Sequence, residues 1–184
     1  MLRALAVFIL SLSVLSCENS ISDIENLSDV VDDLPASTSK NVKIQFSDSA
    51  ITKINLYAPV LDRYLNSEIP YNLMKEGLRI EFLNSLGEIE AQVKCNYAVH
   101  YPKRDILELS QDVEIFNIDG DLLNSEEVIW NSKTQKISSD NFVKITTANE
   151  IIYGDGFIAN QDFTNYQISH IKGIISIDEE DEDL

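Results

Sequence analysis

The chain has 184 residues, enough for one domain with a sizeable core, and its hydrophobic (44%) and charged (24%) fractions are those of a globular protein. Its formal net charge of -17 is far from ordinary. A surface so negative repels the phosphates of nucleic acid and of anionic membranes, which disfavours a role tracking nucleic acid and favours neutral or basic partners.

In chain order, "MLRALAVFILSLSVLSC" places one cation, Arg3, ahead of an apolar run from Ala4 to Leu15. The run is short of the roughly 20 residues that span a bilayer and suits the apolar core of a secretory signal. Val14-Leu15-Ser16-Cys17 has the form of a bacterial lipobox, so residues 1–16 read as a lipoprotein signal peptide and Cys17 as the acylated N-terminus that holds the protein to a membrane. Ordinary signal cleavage beside an incidental cysteine is the alternative. With Cys17 acylated, Cys95 stands alone and cannot form an internal disulfide. Its place in the alternating "EIEAQVKCNYAVHY" makes it a small core residue.

Residues 17–40 are acidic and rich in serine, contain Pro35 and lack a sustained apolar face; they read as a tether. Residues 41–177 then carry a mostly β pattern. "NVKIQF", "LRIEFL" and, after the turn at Ser85-Leu86-Gly87, "EIEAQVKC" alternate apolar and polar residues, the mark of antiparallel sheet with one face on a core. Between Pro59 and Pro70 the alternation lapses, and a short helical or irregular segment is expected there. No proline follows Pro102, so the remaining 82 residues can all donate to a ladder, as long strands paired on both sides require. This half echoes itself: "LNSEEVI", "ISSDNFV" and "IYGDGFI" recur at intervals near 14 residues, a spacing that fits one strand pair with its turn. The chain closes on six acids, Asp178 to Asp183, a solvated tail over 178–184.

Motifs of catalysis are sparse. "GDG" at Gly154 to Gly156 lacks the following Lys-Ser/Thr of a phosphate loop and reads as a backbone bend or bulge. "DGD" at Asp119 to Asp121 lacks the spacing of a calcium loop and reads as a hairpin turn. His100 and His170 each stand alone, too few for a zinc site, and no serine, histidine and acid constellation suggests a triad. Neither a catalytic residue, a metal site nor a cofactor is expected. A long sheet without helices to cover it must close on itself or leave an apolar trough, and in a tethered envelope protein a trough can carry a lipid. The candidate lining residues are Val113 and Ile115, then Val128 and Trp130, then Phe142 and Ile145, then Tyr153 and Phe157. Phe163, Tyr166 and Ile168 complete them near the C-terminal edge.

The succession "QFSDSAITKINLYAPVLDRY", "YNLMKEGLRIEFLNSLGEIEAQVKCNYAVHY", "LLNSEEVIWNSKTQKISSDNFVKIT" and "YGDGFIANQDFTNYQISHIKGII" resembles LptC-type periplasmic proteins of lipopolysaccharide export, in the lipoprotein form of Bacteroidetes-like bacteria. The resemblance implies an all-β fold: an elongated, twisted, open β-jellyroll of antiparallel strands, similar to OstA and LptA. It implies a lipid-binding component that takes lipopolysaccharide from an inner-membrane ABC transporter and passes it to an LptA-like jellyroll of a trans-envelope bridge, without catalysis. It implies hand-over by edge-strand pairing, for which Val42, Ile44 and Phe46 at the start, and Ile171, Gly173, Ile175 and Ile177 at the end, are the candidates. One departure stands out: better-known relatives are held by a transmembrane helix, whereas here the anchor reads as acyl chains on Cys17. The periplasmic face of the inner membrane is the expected location, and the sequence leaves the choice of membrane open. The reading from another class is an envelope adaptor that works by edge-strand pairing and never holds lipid.

Overall fold

The computed structural model describes residues 34–176. The leader, Cys17, residues 18–33 of the tether, Ile177 and the acidic tail lie outside the described residues. Twelve strands form one antiparallel sheet: β1 (Ser37–Asp48), β2 (Ile51–Tyr64), β3 (Tyr71–Met74), β4 (Leu78–Leu83), β5 (Ile89–Cys95), β6 (Tyr97–Tyr101), β7 (Ile106–Asn117), β8 (Leu122–Asn131), β9 (Lys136–Thr146), β10 (Glu150–Asn160), β11 (Tyr166–Ile168) and β12 (Ile171–Ser176). A single 3₁₀ turn, Pro102–Arg104, is the sole helical element among the described residues.

The pairing folds this sheet into two layers. Along one edge β2 meets β4 through Ile54 to Tyr57 and then β3 from Asp62 to Tyr64. In the same way β7 meets β6 through Ile106 to Ser110 and β5 from Glu114 to Asn117. Since β4 pairs with β5 and β3 with β6, two separate paths join β2 to β7, one through each layer. At the far end β10 divides likewise, with β12 against Glu150 to Gly154 and β11 against Phe157 to Ala159. Each long strand therefore runs through both layers and must bend between them.

The bends are bulges, and they line up. The register slips between Ser110 and Val113, between Ser125 and Ile129, and between Asp155 and Phe157. Gln111 and Asp112 take φ of 65° and 56°, and Gly156 takes 84°. Bulges sharpen the local twist and redirect a strand, which is what passage from one layer to the other demands. Two buried serines hold the row together. Ser139 Oγ donates to the Glu127 carbonyl at 2.6 Å and accepts from the Asn141 amide at 3.0 Å, while Ser125 Oγ donates to the Phe142 carbonyl at 3.2 Å. The 14-residue echo is thus the recurrence of this bend in consecutive strands. Its period is one strand with its turn, where a strand pair was expected.

Two boundaries differ from the sequence reading. Pro59 to Tyr64 is not helical: it completes β2, with Val60 to Arg63 paired to β1 and Asp62 to Tyr64 to β3, and only residues 65–70 are irregular. A helix of so few residues is marginal alone, and a strand partner outweighs it. Pro59 is tolerated because it falls between the β4 and β3 ladders, where β2 bends. The folded region also begins earlier than Asn41. Ser37 to Lys40 pair with Arg63 to Val60, and Thr38 Oγ1 donates to the buried carboxylate of Asp62 at 2.5 Å.

Between the layers lies one apolar core. Val113, Ile115, Leu123, Val128, Val143 and Ile145 are completely buried, each worth about 1.5–3 kcal/mol relative to exposure. Cys95 packs among them, and burial pushes its thiol up to about 11. It is a protonated core side chain, with no thiolate available for chemistry.

Candidate functional site

The strand ends opposite the bends form two rims, and the space between the rims is not filled evenly. At the β1–β2–β4 end a mouth of about 470 Å³ opens between Phe46, Ile54 and Phe82 on one rim and His100, Trp130 and Gln161 on the other. Beneath it lies a cavity of about 120 Å³ lined by Ile44, Leu56, Leu61, Met74, Leu107 and Trp130, with Asn72 and His100 as its polar members. Phe46, His100 and Trp130 line both spaces, so the cavity continues the mouth inward. The Trp130 ring is set by an edge contact with Phe82 at 5.4 Å between centroids.

Electrostatically the cavity is quiet. The Asn72 side-chain nitrogen lies 3.2 Å from His100 Nδ1; an amide nitrogen only donates, so the neutral ring keeps its proton on Nε2. Burial lowers the His100 pKa, against a smaller opposing pull from Asp105. The mouth above is charged, with Lys53 among Asp48, Glu90 and Asp162. Among the described residues no group of three or more His, Cys, Asp or Glu is placed to hold a metal ion.

The expected lining residues separate into three groups. Trp130 lines the cavity. Val113, Ile115, Val128, Ile145, Phe157 and Phe163 do face the interior but are packed solid, and Tyr166 and Ile168 lean half-buried against the same core. Phe163, in the loop after β10, fills that end: it stacks on Tyr166 at 4.9 Å and meets Phe157 edge-on at 6.5 Å. Asn117 Nδ2 donates to the Phe163 carbonyl at 3.3 Å, tying the β7–β8 turn down over it. Phe142 and Tyr153 are corrections. They stack on one another at 6.0 Å on the outer face, with Phe142 52% exposed. Phe142 stands on the opposite parity to the buried Ile137, Ser139, Val143 and Ile145 of β9, and Tyr153 falls outside because the bulge in β10 changes which residues point inward.

The cavity is built instead from residues that the alternating pattern of the C-terminal half did not name: Leu56 and Leu61 of β2, Met74 of β3, His100 of β6 and Leu107 of β7. The alternation Ile54, Leu56, Ala58, Val60 running through Pro59 would have found Leu56, whereas Leu61 is buried on the opposite parity and no alternation pointed to it. Gly154 and Gly156 sit where β10 slips register against β12 and β9; a Cβ at Gly156 would lie 2.9 Å from the Ser139 carbonyl oxygen. Of the edge candidates, Val42 and Ile44 pack partly inward and Phe46 stands at the rim, while Ile171 and Ile175 are exposed on β12. In the described residues β1 pairs with β2 alone and β12 with β10 alone, so both have an open edge.

The family described as lipopolysaccharide-assembly, LptC-related, matches residues 4–175. The chain belongs to the LptC family. No curated protein matches it. LptC-family proteins are components of lipopolysaccharide transport in the periplasmic envelope, partnered by lipopolysaccharide and the transport machinery, and theirs is not an enzyme family. The two-layered antiparallel sheet is a β-jellyroll of the LptC type. Among the described residues no helix is long and apolar enough to cross a membrane.

Proposed function

We propose that this LptC-family protein shields the acyl chains of lipopolysaccharide between its two layers, entering through the mouth at the β1–β2–β4 end. It receives the lipid from an inner-membrane ABC transporter and passes it to the next jellyroll of a trans-envelope bridge. Acyl chains on Cys17 hold it at the membrane after residues 1–16 are removed, and the acidic segment before β1 acts as the tether. The open edges of β1 and β12 supply the strand-pairing contacts to its neighbours. The observation that carries this reading is the apolar cavity continuous with the mouth. Each methylene moved from water into such a lining is worth about 0.8 kcal/mol, so shape and apolarity suffice to hold chains without catalysis.

The filled half of the interior favours the second reading, an adaptor that pairs edges and holds no lipid. One experiment decides between them. Photo-crosslinking side chains at Ile44, Leu61 and Leu107 should give lipopolysaccharide adducts in cells, and the same group at Phe142, on the outer face, should give none. Adducts at none of the interior positions would reject the lipid groove and leave the adaptor.

A further inference from the structure

Trp130 is the chain's one tryptophan. The residue is buried, at 7% relative exposure, yet among the described residues its Nε1 has no hydrogen-bond partner. Phenylalanine would fill much of the same space and make the same edge contact with Phe82 without burying an unpaired donor. Trp130 lines both the cavity and the mouth, and Asn72 and His100 line the cavity with it. Three polar side chains thus meet in a space otherwise walled by Ile44, Phe46, Leu56, Leu61, Met74 and Leu107.

The chemistry of these groups selects the ligand. An indole N–H donates and never accepts, so its partner must carry an acceptor. An ionised phosphate or carboxylate is a poor occupant of so aliphatic a space, because its charge would be buried unpaired. Bare hydrocarbon would leave the donor unsatisfied. A volume of about 120 Å³ corresponds to roughly four waters at about 30 Å³ each, which suits a short oxygen-bearing stretch of chain. We propose that this cavity is a subsite for a neutral acceptor oxygen on an acyl chain (an ester or amide carbonyl, or a chain hydroxyl), with Trp130 Nε1 as the donor. The inference rests on the lipid-groove reading and names the part of the lipid that the groove selects.

The single tryptophan provides the readout. In the full chain in detergent micelles, labelled with 15N at the indole, the lone Nε1–H signal is followed on adding methyl tetradecanoate or pentadecane. The ester should move the signal downfield and bind about fivefold more tightly than the hydrocarbon, the ratio that one net hydrogen bond gives. Trp130→Phe should bring that ratio close to one while hydrocarbon binding persists. An unchanged ratio in Trp130→Phe overturns the proposal, and so does an indole proton still exchanging magnetisation with water in the ester-saturated wild type. The wild-type signal alone suffices should the variant fold poorly. If lipopolysaccharide still forms interior adducts while the ester gains no preference, the acceptor subsite falls and the groove stands. If neither probe nor lipopolysaccharide reaches the interior, both fall.

Discussion

The two ends of the interior belong to one sheet and are built from different strands, and one is open while the other is shut. At the β1–β2–β4 end the rims stand apart over the cavity. At the β10–β11 end Phe163 occupies the corresponding space, stacked on Tyr166 and latched through Asn117. At the shut end a loop residue, Phe163, packs against Phe157 of β10 and Tyr166 of β11. An open β-jellyroll need not be hollow along its whole length, and the lining of a groove is decided by what the connections bring back over it.

Removing the Phe163 plug should separate the two ends most strongly. Phe163→Ala should cost about 3–5 kcal/mol, the usual range for deleting a buried aromatic ring. Leu61→Ala, beside the existing cavity, should cost nearer the lower end of about 2–5 kcal/mol, because one side of its surroundings already lacks partner atoms. Urea unfolding at constant m-value measures both. Equal losses would mean that the open end is packed as tightly as the closed one.

Much of this was legible beforehand, for a physical reason. Where a strand is unbroken, period-two alternation fixes which residues face inward; Ile80 and Phe82 of β4, and Ala91, Val93 and Cys95 of β5, are all buried as that pattern requires. Bulges defeat the same rule. In β10 the buried set is Ile152 and Gly154 before the slip, then Phe157 and Ala159 after it, so the parity changes at Gly156 and Tyr153 lands outside. The 14-residue echo carried the position of the bends, but from sequence it could not be told from a repeat of paired strands. The cavity itself left no pattern, since a void depends on side chains from β1, β3, β6 and β8 that fall short of one another across the layers.

Two glycines test the same contrast at smaller scale. Gly87, in the β4–β5 turn at the open rim, and Gly156, at the bend beside the closed end, share a φ of 84°. A Cβ at Gly87 meets nothing within 4 Å, whereas one at Gly156 lies 2.9 Å from the Ser139 carbonyl oxygen. Alanine at either position pays the left-handed backbone cost of about 1–2 kcal/mol, partly offset by about 0.4–1 kcal/mol of lost freedom in the unfolded chain. These contributions cancel between the two sites, so the excess for Gly156→Ala reports the packing at the bend alone. Denaturation midpoints should place Gly156→Ala clearly below Gly87→Ala; coincident midpoints would show that the bend yields at no cost.

Acid should find the open end through His100. Burial holds its folded pKa below the ordinary 6.5, so on acidification the unfolded chain takes up the proton first. The stabilisation is complete above about pH 6.5, declines as the pH falls below that value, and is lost once the pH has passed through the folded pKa. Asp105 opposes the shift. Asp62 contributes in a separate, lower window: Thr38 and Lys75 hold its carboxyl below its usual value, so its contribution fades only as the pH falls below about 4. Comparing unfolding midpoints at about pH 7.5 and about pH 5.5 isolates His100, and His100→Gln should flatten the difference. An equal slope in His100→Gln would assign the acid sensitivity to some other group and leave the cavity insensitive over that range.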